Sequence, residues 1–189
     1  MAINKKIINS SVKHINGKEE ELMSAQLKEI EVVKEEFFAF QLLMKVDHPF
    51  FCSLGKTRDI HWKGLGDQIR LELSHNDDED LFTMNFLGYV QNDDGSIVGD
   101  PLLKEKSLYL EEGYQMIWVN GKIPETYSEQ EIPVELKVYH TKGDEKERLI
   151  SQEKIHIHII NYVNKSVKEG EFYLDLWQHP SNWARAYNV

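Results

Sequence analysis

Cysteine, long apolar runs and an excess of positive charge are what this sequence lacks. Cys52 is the only cysteine in 189 residues, so an internal disulfide is excluded, in agreement with a reducing compartment. Every uninterrupted apolar run is far shorter than the roughly 20 residues that span a bilayer. The lysines near Met1 are not followed by the apolar segment of a secretory signal. We therefore expect a cytoplasmic protein without a membrane span.

Negative charge dominates the composition. The chain has 32 acidic and 22 basic residues, for a net charge of −10, and the charges are spread along its length. They repel phosphate backbones and anionic lipid headgroups, so neither nucleic acid nor a membrane surface is expected as a partner. With 41% hydrophobic residues, the chain is long enough to build one sizeable core.

The first 50 residues combine a polar lead with alternating apolar positions. Residues 1–18 are polar and show little periodicity, which predicts a flexible N-terminal lead or an edge strand. Residues 19–28 have a helix-favouring composition. Apolar residues then recur at every second position on both sides of a turn near residues 34–36, which predicts two strands. These residues are Ile30, Val32, Phe38, Phe40, Leu42 and Met44.

Turn signals divide the rest of the chain into short β-rich segments. The sequence at residues 91–96 predicts a hairpin turn. No amphipathic helix of 10–15 residues separates the segments, which disfavours a parallel α/β fold. The pattern predicts an all-β fold over residues 19–171, an antiparallel sandwich of immunoglobulin or jelly-roll type with short helical or irregular segments. The predicted segments are 69–73, 107–110, 114–119, 134–139, 149–151 and 154–160.

Several groups of residues have compositions that occur at metal or catalytic sites. His156 and His158 are predicted on one face of a strand, where they would either ligate a metal or form the polar side of a half-buried strand. The acidic clusters at 77–80 and 93–94 lack the ligand pattern of a calcium loop and are typical of solvated turns. Cys52 has apolar neighbours, as a core residue does. No catalytic residue, metal site or cofactor is therefore predicted.

The four tryptophans are candidates for carbohydrate binding, because an indole face stacks on a sugar ring. Trp118 lies in an alternating strand, which favours a place in the core. Trp62 follows His61 in a glycine-rich stretch, so we predict a loop in which Trp62 is exposed. Trp177 and Trp183 belong to an aromatic C-terminal stretch, which suggests burial against another part of the protein.

That C-terminal stretch resembles a known family. Residues 172–180 read Phe-Tyr-Leu-Asp-Leu-Trp-Gln-His-Pro, and Trp183-Ala-Arg-Ala-Tyr187 follows. The string resembles the domain junction of bacterial glycoside hydrolases of the family 123 type, often labelled domain of unknown function 4091. Residues 33–42 resemble the early strand pair of that family, and residues 115–124 its strand and proline turn. The turn at 125–129 departs from the family pattern because it has no glycine.

The resemblance implies that residues 172–189 are a junction segment leading to a (β/α)8 catalytic barrel that this chain does not contain. The parent protein would hydrolyse glycosides, among which N-acetylhexosaminides are implied, by attack of the substrate acetamido group on the anomeric carbon. This chain would be a non-catalytic accessory domain whose partner is its own barrel. Trp177, His179, Trp183 and Arg185 are expected at the domain junction, or alternatively as a cap on the core of the sandwich.

Two other functions fit the sequence. The chain is alternatively a carbohydrate-binding module that uses exposed aromatic residues such as Trp62. A third hypothesis is a self-contained enzyme with a metal on His156 and His158. The three hypotheses differ in where they place the aromatic side chains and in whether a third metal ligand approaches the two histidines.

Overall fold

The computed structural model describes residues 4–22, 26–55, 59–64, 66–74 and 81–163. Within these ranges the chain forms one short helix, α1 (Glu19–Leu22), and twelve strands. The helix is too short to cross a membrane, and no membrane-spanning helix is found in this part of the chain. The strands are β1 (Asn4–Asn9), β2 (Glu29–Lys34), β3 (Phe37–Val46), β4 (Phe50–Leu54), β5 (Asp59–Gly64), β6 (Asp67–Ser74), β7 (Phe82–Gln91), β8 (Ile97–Leu102), β9 (Ser107–Leu110), β10 (Gly113–Lys122), β11 (Glu131–Lys142) and β12 (Arg148–Val163).

Two sheets form a sandwich. The smaller sheet has five strands in the order β1-β3-β10-β7-β8, and the larger has seven in the order β2-β12-β11-β6-β5-β4-β9. Neighbouring strands are antiparallel except β2 and β12, which pair in parallel. The predicted all-β sandwich is thus confirmed.

Alternation along each strand builds the main core between the sheets. In β3, Phe40, Leu42 and Met44 are fully buried and belong to this core, whereas Leu43 belongs to a separate cluster on the opposite side of the strand. This arrangement follows from the two-residue period of a β-strand. Each fully buried aliphatic or aromatic side chain contributes about 1.5–3 kcal/mol through removal of its surface from water. The core is therefore the main source of stability.

Residues 10–22, which we call the strap, cross the outer face of the five-stranded sheet. The strap leaves β1 at one edge of the sheet and reaches β8 at the other edge, where Ile15 bridges Val98. There the amide of Gly99 donates to the carbonyl of His14 over 2.9 Å. The α1 end of the strap lies above the middle of the sheet, because Glu20 pairs with Lys45 of β3 at 2.8 Å. The strap therefore covers the face that does not pack on the second sheet.

An ion pair connects the edge strand β1 with the opposite sheet. The side chain of Lys5 is 5% exposed, and its Nζ lies 2.5 Å from Oε1 of Glu153 and 3.2 Å from Oγ of Ser151 in β12. A buried charge needs such partners, because its desolvation is otherwise uncompensated. Residues 4–9 are thus an edge strand of the sandwich and not a flexible lead, so the sandwich begins before residue 19.

The chain changes sheets between β2 and β3 at a tight turn. Glu35 at this turn has φ +65°, a left-handed conformation that is unfavourable for a residue with a side chain. Its carboxylate is held by Nζ of Lys122 at 2.7 Å and by the amide of Glu125 at 2.9 Å. These contacts hold the pKa of Glu35 below its usual value, the Lys122 contact contributing most. The glycine-free turn at 125–129 is therefore attached to the β2–β3 corner.

Most predicted strands occur, with differences at the chain's long hairpin. The turn at residues 34–36 and the hairpin at 91–96 lie where predicted. Among the described residues of the helix-favouring segment 19–28, only Glu19–Leu22 are helical, as α1. The two segments predicted at 149–151 and 154–160 are one 16-residue strand, β12, whose pairing with β11 shifts register next to Val138. A β-bulge of this kind lets one long strand continue past an irregular pairing.

We expect two substitutions of Glu35 to separate its backbone strain from its contacts. Glu35→Ala keeps the left-handed backbone and loses both contacts, whereas Glu35→Gly loses the contacts but relieves the strain. Both variants should melt below the wild type at neutral pH, the alanine variant lower. Because the folded pKa of Glu35 is depressed, the wild-type advantage should be present at neutral pH and disappear as the pH falls below about 4. Calorimetric melting temperatures measured against pH test this, and coincident midpoints for the two variants would contradict it.

Candidate functional site

Trp62 is in the core, so the prediction that it is exposed is wrong. It lies in β5 and has no exposed surface, and it is among the largest fully buried side chains. The neighbouring Gly64 ends the strand instead of opening a loop: a Cβ there would lie 2.8 Å from the carbonyl oxygen of Pro49 and 2.9 Å from Cδ1 of Phe50. The glycine permits close backbone packing. Trp62 therefore cannot stack on a sugar in this fold.

The four residues predicted at the domain junction belong to the C-terminal segment of the sequence. Trp177, His179, Trp183 and Arg185 all lie outside the described residues, as does the whole segment 172–189. Their expected role at a domain junction therefore stays a prediction.

The two histidines of β12 form the polar side of the strand. His156 and His158 alternate with the buried Ile155 and Ile157, and their rings stack with centroids 6.3 Å apart. His156 Nδ1 contacts Glu131 closely, and His158 Nε2 lies 3.7 Å from Glu29. Among the residues described, no group of three potential ligands that could hold a metal is found.

Cys52 is a core residue, and the acidic residues at 93–94 lie in a turn, as the sequence predicts. Cys52 is fully buried, and burial raises the pKa of its thiol, which disfavours the reactive thiolate. In the turn before β8, Oδ1 of Asp94 accepts hydrogen bonds from the amide (2.8 Å) and the hydroxyl (2.5 Å) of Ser96. Asp94 thus serves its own turn, and the cluster at 77–80 lies outside the described residues.

The outer face of the seven-stranded sheet is charged and internally paired. Arg70 bonds Glu147 through Nε and Nη2, contacts Glu72, and lies 4.2 Å from the ring centre of Tyr139. Glu135 lies 2.8 Å from the ammonium groups of both Lys137 and Lys154, contacts that lower its pKa to about 2. Because these charges already have partners, the face offers no concentrated charge to a ligand.

The outer face of the five-stranded sheet is apolar instead. A second hydrophobic cluster of four buried residues lies there, separate from the main core. Trp118 and Tyr114 of β10 pack against it but are only partly buried. The expectation of a core position for Trp118 is therefore met only in part. The buried members are Ile8, Leu43, Leu87 and Met116.

Buried polar side chains also hold the strap on the sheet, at two points. Nε2 of Gln41, which is 2% exposed, donates to the carbonyls of Asn9 (3.1 Å), Ser10 (3.3 Å) and Val12 (2.8 Å). Where the chain leaves a strand and crosses a sheet, its carbonyl groups have few partners in a neighbouring strand. The buried side-chain amide of Gln41 donates hydrogen bonds to them. Nothing in the polar sequence of residues 10–18 indicates this anchoring. The sequence feature that accompanies it is a glutamine, Gln41, within the apolar run of β3.

The second point is a buried polar chain at the β8 edge. The ring of His14 is wholly buried between Glu19, whose Oε1 lies 3.1 Å from Nε2, and Tyr89, whose hydroxyl lies 3.3 Å from Nδ1. Burial, followed by the negative charge of Glu19, raises the pKa of Tyr89 to about 12. The three side chains connect the strap to β7.

Between the strap and the sheet lies a cleft of about 500 Å³, which we call the strap cleft. The strap forms one wall, and strands β3, β7, β8 and β10 form the rest. Gly99 in this lining has no side chain, and a Cβ there would come within 2.5 Å of Leu87 and 3.3 Å of His14. Its absence lets the strap approach β8 closely. The lining residues are Ser10, Ser11, Val12, Lys13, Gln41, Leu87, Gly99, Asp100, Leu102 and Trp118.

The strap cleft has the composition of a binding site. A half-buried indole and leucine side chains provide apolar contact, while hydroxyl, carboxylate and ammonium groups provide hydrogen bonds. Among the described residues that line it, Asp100 alone has a carboxylate, whereas glycoside hydrolysis commonly uses two carboxyl groups at a fixed separation. The cleft is therefore the candidate functional site of the described residues, suited to binding.

Comparison with known proteins identifies the fold. No protein-family model matches the sequence, and no curated protein matches it. Among solved structures, a family 123 glycoside hydrolase from Clostridium perfringens, studied for its hydrolysis of glycolipid glycans, is similar with a TM-score of 0.61 and 16% sequence identity. The similarity covers 100% of this chain and 32% of that enzyme. The chain thus has the fold of about a third of that hydrolase.

Weaker similarities are to other β-rich proteins. A variant of BcpA, the major pilin subunit of Bacillus cereus, is 8% identical, with a TM-score of 0.33 over 82% of this chain and 40% of that one. A PapD-like domain of human CEP192 is 13% identical, with a TM-score of 0.33 over 84% of this chain and 87% of that one.

Replacing Gln41 by leucine should release the strap. The variant removes the Gln41 donor from three carbonyl groups, of which that of Asn9 keeps the amide of Val12 as a donor, and we expect the free energy of unfolding to fall by about 1–3 kcal/mol. Hydrogen exchange should accelerate at the amides of residues 11–16 more than in β11. Gln152→Leu, at an exposed position, serves as the control and should change neither quantity. Uniform acceleration over both sheets would contradict a local role for Gln41.

Tyr89 should ionise well above the usual range of a tyrosine, because its pKa is raised to about 12. We expect an absorbance titration to show a step near pH 12 that is missing in Tyr89→Phe. Because the folded pKa is raised from about 10, the contribution of neutral Tyr89 to stability is complete below pH 10 and is lost as the pH rises through 12. If Tyr89→Phe instead lost its absorbance step near pH 10, the Tyr89 hydroxyl would not be buried against His14.

Proposed function

We propose that this chain is a non-catalytic accessory domain of a glycoside hydrolase. The observation that carries the proposal is the fold shared over the whole chain with about a third of the family 123 hydrolase. In this proposal the remaining part of the parent protein is a (β/α)8 barrel that acts on N-acetylhexosaminides. The single carboxylate of the strap cleft agrees with a chain that does not perform the hydrolysis itself.

An apolar surface near the end of β12 supports the accessory role. Phe37 is 74% exposed, Ile160 48% and Tyr162 62%. Phe37 and Ile160 line one shallow hollow of about 210 Å³, and Tyr162 follows two residues after Ile160 on the same strand. Exposed apolar side chains grouped in this way are typical of an interface. We propose that the barrel of the parent protein covers this surface, with Trp177, His179, Trp183 and Arg185 at the junction.

The first test is the reading frame beyond the codon of Val189 and the activity of the longer product. We expect an open frame with alternating strand and helix patterns, and a longer protein that hydrolyses 4-nitrophenyl N-acetyl-hexosaminides. The 189-residue chain should not hydrolyse them. A stop codon directly after Val189, or turnover by the 189-residue chain, would refute the proposal.

A surface variant tests the proposed interface. Phe37→Ser combined with Tyr162→Ser should lower the melting temperature of the longer protein, because water-exposed serines replace apolar contacts with the barrel. It should leave the melting temperature of the 189-residue chain nearly unchanged. Phe51→Ser is the matched control, since Phe51 is 50% exposed in β4 near the other edge of the sheet. If Phe51→Ser lowered the melting temperature of the longer protein as much as the double variant does, that result would argue against an interface at Phe37.

A further inference from the structure

The strap cleft presents an aromatic surface on a rigid support. Trp118 lies in β10, between β3 and β7, directly opposite Gln41 on one side and Asn85 on the other. Gln41 is fixed by its bonds to the strap, and Nδ2 of Asn85 donates to the carbonyl of Leu103 over 3.0 Å. Both neighbours of the indole are thus held in place. A binding surface built on a strand with fixed neighbours loses little entropy when a ligand arrives.

The polar groups of the cleft come from the strap and from β8. Asp100 offers a carboxylate that accepts hydrogen bonds, and Lys13 an ammonium group that donates them. The hydroxyl of Ser11 donates to Oδ1 of Asn9 over 2.9 Å, so its oxygen remains available as an acceptor. Residues that carry donors and acceptors therefore line the same cavity as an aromatic residue, and the cavity has small-molecule size, about 300–1,000 Å³ being usual.

This combination selects among ligand classes. A purely apolar ligand would leave the carboxylate and ammonium groups without their water partners, which costs binding energy. A strongly anionic ligand would meet Asp100 and a chain of net charge −10. A neutral sugar ring has an apolar face for the indole and hydroxyl groups around its rim that both donate and accept.

The geometry points to a binding site for a neutral pyranose sugar in the strap cleft, stacked on Trp118 and hydrogen-bonded by Asp100 and Lys13. The site is distinct from the accessory role, because it needs only residues of the described sandwich. Because Trp62 is buried, Trp118 takes its place as the aromatic residue through which the chain would bind carbohydrate.

Nuclear magnetic resonance of the 189-residue chain tests the site. The four tryptophans give indole N–H resonances, of which the Trp118 signal is assigned by its absence in Trp118→Phe. Glucose, galactose, N-acetylglucosamine and N-acetylgalactosamine are titrated to about 20 mM, above a millimolar Kd. We expect at least one sugar to shift the Trp118 signal saturably and to leave the Trp62 signal in place.

Variants then assign the contacts. Their affinities are followed through the backbone amide resonances of the cleft, because the Trp118 variants lack the indole signal. Trp118→Ala should weaken the binding about tenfold or more, and Asp100→Asn should weaken it severalfold. Tyr109→Ala, which removes an exposed aromatic ring from the other sheet, should leave the affinity unchanged. Should Trp118→Ala fail to fold, Trp118→Phe and Asp100→Asn decide the question, because neither creates a large cavity.

Three outcomes would overturn the inference. They are the absence of any shift at Trp118 with all four sugars, an affinity that neither Trp118→Phe nor Asp100→Asn alters, and a shift produced by adenosine but by no sugar. Each of these is independent of the hydrolase assay on the longer protein. Failure of the sugar site and failure of the accessory role can thus be told apart.

Discussion

The apolar outer face of the five-stranded sheet is the constraint on which the N-terminal part of the structure depends. A sandwich sheet usually has one face in the core and one in water, but here Ile8, Leu43, Leu87 and Met116 make the outer face hydrophobic as well. Burying each of these side chains is worth about 1.5–3 kcal/mol. The strap covers this apolar face and so removes it from water. The other side of the strap faces water, and for this reason its composition is mostly polar. Its incomplete coverage near Trp118 creates the strap cleft.

The two sheets therefore have different outer surfaces. The seven-stranded sheet carries ion pairs such as those of Arg70 and Glu135, which satisfy one another in place. The five-stranded sheet has a covering segment, a cavity and a half-buried tryptophan. Among the described residues, the strap cleft and its half-buried tryptophan thus lie on the face opposite to the one that packs on the second sheet.

The strands were predictable from sequence because their apolar residues alternate, and β3 and β6 are the clearest examples. Trp62 was misplaced because glycines near a tryptophan are common in loops, whereas Gly64 is needed for the close approach of Phe50. The strap cleft could not be predicted. It depends on contacts between distant positions, such as Gln41 with Val12 and His14 with Tyr89, which leave no periodic pattern in the chain.

The parallel pairing of β2 with β12 has a consequence for biosynthesis. Glu29 lies beside His156, and Lys5 bonds Glu153, so the earliest strands find partners among residues made well over a hundred positions later. During translation at roughly 5–20 residues per second, β2 waits for several seconds for its partner β12, whereas β1 pairs with the earlier strand β3. The charged residues of β2, Glu29, Glu31 and Lys34, would oppose premature association during that interval. The seven-stranded sheet is thus completed only after β12 has been made.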